Sequence, residues 1–444
     1  MIKPLIVSFI VLLFLLLFTE HAFAQNADSD LKIVKTSSED AKILKETKPQ
    51  GPHEIPVPQF ILKSNDSNFF LTIGGIISPV MGWDIGNNLY NATGSGLCFI
   101  TNSIPVPAIK GHKADYYINP LNGAVDLQVV GLAGTKNQIT GYIKVGTNGS
   151  NCNLCVTKAY ITWKKFTGGL KNTLMQDANA CQPSTIDPEG PSGCISNSSY
   201  EINYVSPSYK GFSFAAAIDM PTFYSSNGYY QGKDYPIYDN KQVASNEYAD
   251  AEQLIPDIPA WIQYQFSPNN RIRLSGLIRN FAYRDLVADK TRHVVGWGSM
   301  LSGNIQPCNL LILYYQCAYG AGIGRYVQDI AGLPLSFVPE NSNPGKMKAS
   351  PMMGVNFGAT LNISSNLQFN IMGSECRIWG VESQCTAADA TCNYKYALYG
   401  AVNAFYNITP YLQWGIEYIW GRLKTWNIGG ANDNRIQTQI MFTL

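Results

Sequence analysis

Arg273 and Arg279 stand six residues apart in the run RIRLSGLIRN, Arg271–Asn280. In an extended chain, residues an even number apart share a face. Both arginines therefore oppose Ile272, Leu274 and Ile278. Lys144 opposes Ile143 and Val145, and Lys158 opposes Ala159 and Ile161, in the same way. Arg325 and Arg377 sit where similar runs end. A narrow, water-filled passage lined with one sign of charge lowers the barrier for ions of the opposite sign. These six basic residues are the candidates for such a lining, and the chemistry they offer is electrostatic.

Bond-making chemistry is poorly supported. The chain has 4 His, and no HExxH, GxSxG elbow or GxxxxGK[ST] loop. His293, beside Arg292, reads as a loop residue. Cys152-x-x-Cys155 has no second pair and no neighbouring His, so it makes a weak metal or redox motif. The reading is a non-enzyme that needs no cofactor and no metal.

The elements that must carry the basic residues are strands. Met353, Val355, Phe357, Ala359, Leu361 and Ile363 make one apolar face, against Gly354, Asn356, Gly358, Thr360 and Asn362. Leu412, Trp414, Ile416, Tyr418 and Trp420 oppose Gln413, Gly415, Glu417 and Gly421. The tail IQTQIMFTL, Ile436–Leu444, alternates in the same way to its last residue. Such runs are about 9–11 residues long, enough for a tilted strand to cross a bilayer. Tyr406, Tyr418 and Trp420 lie near run ends, as interfacial aromatics do. A soluble sandwich would more often carry Lys and Glu on its polar face than Gly, Asn, Gln and Thr.

Composition agrees. The 444 residues include 32 Lys+Arg and 31 Asp+Glu, so 14% are charged, against about 25% in typical soluble domains. Mean hydropathy is nevertheless −0.07, and aromatics make up 12%. The net charge of +1 gives no reason to expect nucleic acid. Residues 1–24 read as a secretory signal: Lys3, the apolar run Leu5–Phe18, then Ala22-Phe23-Ala24. Residues 25–57 are charged and then Pro-rich, and read as a periplasmic lead. Residues 58–444 form the strand-bearing domain. After the signal no long apolar run follows, and lipid then admits only a closed barrel.

Several segments resemble the DcaP-like outer-membrane porins, in order along residues 58–444. They are PQFILKSNDSNFFLTIGGIISPVMGWDIG (Pro58–Gly86), DANACQPSTIDPEGP (Asp177–Pro191), IPDIPAWIQYQF (Ile255–Phe266), RIRLSGLIRN, GWGSMLSGNI (Gly296–Ile305) and GIGRYVQDI (Gly322–Ile330). The resemblance implies an all-β, 16-stranded antiparallel transmembrane barrel and a homotrimer embedded in outer-membrane lipid. It also implies passive uptake of small anionic solutes such as dicarboxylates, and identifies Asp177–Pro191 with an inward-folded constriction loop. On that loop Asp187 and Glu189 would oppose the basic wall, with Thr185 in its core. Lys158 precedes Ala159-Tyr160, where the family usually carries arginine. In an oxidising compartment disulfides are the default. Cys181 and Cys194 bracket the loop and are candidates to bridge it. Cys152 with Cys155 and Cys385 with Cys392 share loops, while Cys98, Cys308, Cys317 and Cys376 could pair in several ways. The alternative function is a plugged, non-conducting structural or adhesive barrel.

Overall fold

The computed structural model describes residues 68–86, 98–108, 114–119, 122–148, 153–225, 254–333, 335–340, 342–382 and 393–444. It also describes short pieces at 32–35, 42–44, 48–49, 51, 54–56, 60–64, 111, 228–231 and 247–251. The signal segment 1–24, Cys152, Cys385 and Cys392 lie outside the described residues.

The chain is all-β, and sixteen antiparallel strands close into a barrel. The first strand is Phe69–Ile77 continued by Val80–Ile85, and the second is Ala114–Asn119 continued by Gly123–Gly131. The third to sixth are Ile139–Asn148, Asn153–Trp163, Phe166–Asn172 and Ser198–Val205. The seventh to tenth are Phe212–Ser225, Ile258–Ser267, Asn270–Asp285 and Lys290–Cys308. The eleventh to thirteenth are Leu311–Ala321, Pro351–Asn362 and Leu367–Ile378, and the last three are Tyr394–Thr409, Leu412–Thr425 and Gly430–Thr443. The last strand pairs with the first, from Asn434 opposite Ile85 to Thr443 opposite Ile76, so the sheet has no free edge there.

Alternation decides which side chains face inward. On the ninth strand Ile272, Leu274 and Ile278 are exposed, while Arg271, Ser275, Leu277 and Arg279 are buried. Around the barrel Ile73, Ile118, Ile202, Val295 and Ile371 are each more than half exposed. Leaving one such side chain in water forfeits about 1.5–3 kcal/mol. A continuous band of them is the solution for a lipid surround. Trp163, Phe166, Tyr209, Phe212, Tyr264 and Phe266 crowd the short-turn end of that band, with Phe212 and Tyr264 in ring contact at 4.5 Å. No helix among the described residues is long and apolar enough to cross a membrane.

The interior is not empty. At the long-loop end Phe99, Ile104, Met175, Ile195, Ile323, Tyr326 and Val327 form one buried apolar cluster with the wall residues Met300, Met352 and Met372. These residues come from the loops after the first, fifth and eleventh strands. Their apolar side chains are as buried as any core because they pack on each other inside the wall.

Residues 42–56, expected as part of a periplasmic lead, are also packed against the inner wall where described. Leu44 is buried with Ile61, Phe70 and Val130. Gln128 on the second strand donates to the Leu44 carbonyl at 3.1 Å. Lys48 reaches Asp126 at 2.6 Å with both side chains buried. Gly74 leaves the room this needs: a Cβ there would run into Asp126 and Ile55.

Candidate functional site

A cavity of about 1500 Å³ opens among the third to ninth strands at the short-turn end. Its wall carries Lys158, Lys171 and Arg273, its rim Lys136, Lys164 and Lys165, and the N-terminal segment adds Lys42 and Lys48. Among the described residues lining it, Asp177 is the one acid. A second cavity, of about 360 Å³, adjoins it and shares Arg273 and Asn179. Its lining adds Arg271, Gln263, Gln265, Asn304 and Tyr314. Together they form a basic vestibule.

Arg271 and Arg273 hold the junction of the two cavities. Arg271 Nη2 donates to Asp177 Oδ1 at 2.5 Å, and Arg273 Nε lies 3.7 Å from Asp177 Oδ2. Ser302 Oγ donates to Asp177 Oδ2 at 2.7 Å. Gln263 Oε1 accepts from both guanidiniums, at 2.8 and 3.0 Å. The Arg273 guanidinium stacks over Trp261 at 4.3 Å. Planar forks held in this way keep their charge aimed into the cavity with little side-chain freedom.

The other basic residues expected along a passage fall in several places. Lys144 and Lys158 point inward, but both bind Glu54 of the N-terminal segment. Lys144 Nζ lies 2.9 Å from Oε2, and Lys158 Nζ meets Oε1. Burial alone would raise the Glu54 carboxyl, yet the two ammoniums overcome it and hold the group at about 2. Arg279 is inward by parity but lines neither cavity. It is sealed against Asp257 at 2.9 Å, beneath the Tyr326 and Phe337 rings. Arg325 lies in the short helical turn Gly324–Tyr326 of a loop, its carbonyl accepting from Asn197 at 2.9 Å. Arg377 shares its face with Glu375, 2.7 Å away, opposite the inward Ser374 and Cys376. It therefore belongs to the outer face, because the strand keeps its alternation to the end.

Residues 173–197 bond to inward rows of the wall. The Ile186 and Asp187 amides donate to Glu417 at 3.1 and 3.0 Å, Gly193 to Ser374 at 2.8 Å, and Ile195 to Gln316 at 2.9 Å. Cys181 and Cys194 form a disulfide across this segment. Cys98, Cys308, Cys317 and Cys376, left open for pairing, are free thiols. Thr185 Oγ1 donates to the Asp187 carbonyl at 2.7 Å, an internal brace. Asp187 is fully buried and accepts from the Phe99 amide at 3.0 Å and the Tyr399 hydroxyl at 3.1 Å. Burial, then the Glu417 carboxylate, push its carboxyl up to about 8 against the pull of the Phe99 amide. Burial likewise raises Glu189. Neither acid lines the vestibule, so the acid that faces the arginines is Asp177, at the start of the same segment.

Asp177, Arg271, Lys171 and Glu54 were not among the sequence candidates. Arg271 has the parity of Arg273 and Arg279, which is a signal that could have found it. Nothing in local sequence marks Glu54. His293, read as a loop residue, lies instead on the tenth strand beside Asn280, at 3.1 Å.

The chain is similar to the outer-membrane channel DcaP of Acinetobacter baumannii, with TM-score 0.66 and 15% identity over 86% of this chain and 99% of that one. The fold is that of the outer-membrane porins. It is also similar to an anion-selective porin from Comamonas acidovorans, with TM-score 0.53 and 9% identity over 85% of this chain and 100% of that one. OmpT of Vibrio cholerae, solved in a trimer form, matches with TM-score 0.50 and 9% identity over 85% and 99% of the two chains. No family model matches, and no curated protein matches by sequence. The porin fold agrees with the ordered resemblance read along residues 58–444. A closed porin barrel with an apolar outer band is an outer-membrane architecture.

Proposed function

We propose that the protein is a passive channel of the outer membrane for small anionic solutes, with dicarboxylates among them. The observation that carries this reading is the charge of the vestibule: among the described residues nine Lys and Arg side chains line it with Asp177, three of them paired to acids outside the lining, Lys48 to Asp126, Lys158 to Glu54 and Lys171 to Glu201. A focused positive field raises the local concentration of anions and repels cations. Arg271 and Arg273, stacked and forked, suit planar carboxylates. Residues 173–197, bonded across the inward wall, act as the constriction that narrows the path. The anion-selective Comamonas porin shares the fold and supports the same sign of preference. A homotrimer in outer-membrane lipid is the assembly proposed, as OmpT has a trimer form.

A second reading has its own support. The apolar cluster at the long-loop end packs inside the wall, as it would in a plugged structural barrel. The two readings separate in a planar bilayer with a salt gradient across it. Conductance steps with a reversal potential of anionic sign are expected for the channel. Steps with cation preference would discard the charge assignment. Silence from a folded, heat-modifiable barrel would select the structural reading.

A further inference from the structure

Lys144 and Lys158 are neighbours in register on the third and fourth strands. Each offers its ammonium to one oxygen of the same carboxylate, Glu54. All three side chains are largely buried, with 12% or less exposed. Glu54 reaches them from outside the barrel sheet, 90 residues before Lys144 and 104 before Lys158. Its own neighbourhood holds it there. Lys48 donates to the Ile55 and Pro56 carbonyls at 3.5 and 3.2 Å while paired to Asp126. A Cβ on Gly51 would sit 3.4 Å from Ala178 of the 173–197 segment. Lys158 also lines the vestibule, so the pair stands at the edge of the space that a solute would enter.

We infer that Lys144 and Lys158 form a carboxylate-binding site that the chain fills with its own Glu54, and that an incoming small dicarboxylate competes with Glu54 for it. The inference rests on the proposed entry of small anions into the lumen. The chemistry is that of a tethered ligand. A carboxylate with two oxygens on two ammoniums is what a free carboxylate would also make there. A tethered competitor lowers the apparent affinity by the fraction of time it leaves the site open. The N-terminal segment thus sets the concentration at which solute is held in the vestibule.

The test is calorimetric titration of the detergent-purified full chain with succinate, which needs no conduction. Glu54→Gln should tighten succinate binding about tenfold, the gain from emptying a site open roughly a tenth of the time. Adding Lys144→Gln and Lys158→Gln to Glu54→Gln should remove that gain. The heat-modified gel shift reports whether each barrel is closed. Should Glu54→Gln fail to close, Glu54→Asp, shorter but still charged, is expected to shift binding in the same direction by less. Equal affinity of Glu54→Gln and wild type, no succinate binding by Glu54→Gln, or a gain that survives loss of both lysines would overturn the inference. A variant that binds more tightly while the barrel stays silent in bilayers would keep the inference and reject the channel. A conducting barrel indifferent to Glu54→Gln would do the reverse.

Discussion

Arg435 of the last strand grips Asp84 of the first through Nε to Oδ1 at 2.6 Å and Nη2 to Oδ2 at 3.0 Å. The two residues face each other in register at the seam that closes the barrel. Both side chains are wholly buried, and the guanidinium lies over Tyr117 at 4.8 Å. Removing one partner of a buried pair strands the other charge and costs about 3–5 kcal/mol. Arg435→Met should therefore lower the denaturant midpoint of the barrel clearly. The double change Arg435→Met with Asp84→Leu should recover most of the loss, since no charge is then left buried alone. Urea titration followed by tryptophan fluorescence checks both. An unaffected midpoint in the single variant would show that the ladder alone closes the seam.

Selectivity should turn on Asp177, which is paired to Arg271 and faces Arg273. A unit charge about 7 Å from a passing ion in a water-like medium is worth about 0.6 kcal/mol, with opposite sign for anion and cation, so their ratio changes close to sevenfold. Asp177→Asn should raise the anion-to-cation permeability ratio by that order. Lys164→Gln with Lys165→Gln at the rim should lower it. Both effects should fade in 1 M salt, where the screening length falls to about 3 Å. Reversal potentials in dilute and concentrated chloride measure them.

The period-2 alternation that exposes Ile272, Leu274 and Ile278 made the barrel wall legible from sequence, and with it the inward position of Arg273. That pattern assigns a face, and says nothing of what covers it. Arg279 has the same parity as Arg273, yet Tyr326 and Phe337 arrive from a distant loop and seal it in. Lys144 and Lys158 face inward as read, but their partner Glu54 belongs to a segment without alternation. The apolar residues of the long loops, such as Phe99, Ile323 and Val327, carry no periodicity to mark them as interior. Arg377 failed for the opposite reason: its strand continues one residue beyond it, to Ile378, and so keeps it outside.

Docking of the N-terminal segment should depend on pH through Glu54. Its ordinary value of 4.5 falls to about 2 beside Lys158 and Lys144. A depressed carboxyl stabilises the docked state fully above 4.5 and loses that contribution as pH falls through 2. Lys48, Asp126, Tyr142 and Tyr160 also face this site. Of these, Asp126 is the carboxylate, paired to Lys48. Chloride conductance of the wild type should rise between pH 4.5 and pH 2 as the segment is released. The Glu54→Gln variant should lack this rise, which separates Glu54 from Asp126. An identical acid profile in both proteins would assign the change elsewhere.

The Cys181–Cys194 bridge closes a segment that is already tied to the wall through Glu417, Ser374 and Gln316. A link across a loop of this length contributes about 3 kcal/mol in the chain-entropy account. Cys181→Ser with Cys194→Ser should lower the thermal midpoint, while the hydrogen bonds keep the segment inside. Open-channel noise should increase without loss of conductance. A channel that widened markedly would show that the bridge alone positions the segment.

Ile371 tests the lipid face. It lies mid-strand in Leu367–Ile378, 56% exposed, and alternates with the inward Asn370 and Met372. Water on that face would accept an arginine with little penalty. Hydrocarbon would not, and a cation on the lipid side of a barrel near the bilayer midplane costs about 2–4 kcal/mol. Ile371→Arg should therefore destabilise the barrel by that amount in lipid vesicles. Asn370→Arg, one residue away on the lumen side, meets no hydrocarbon and should act instead on ion preference. Equal stability of Ile371→Arg and wild type in vesicles would contradict a membrane-spanning barrel with this face in lipid.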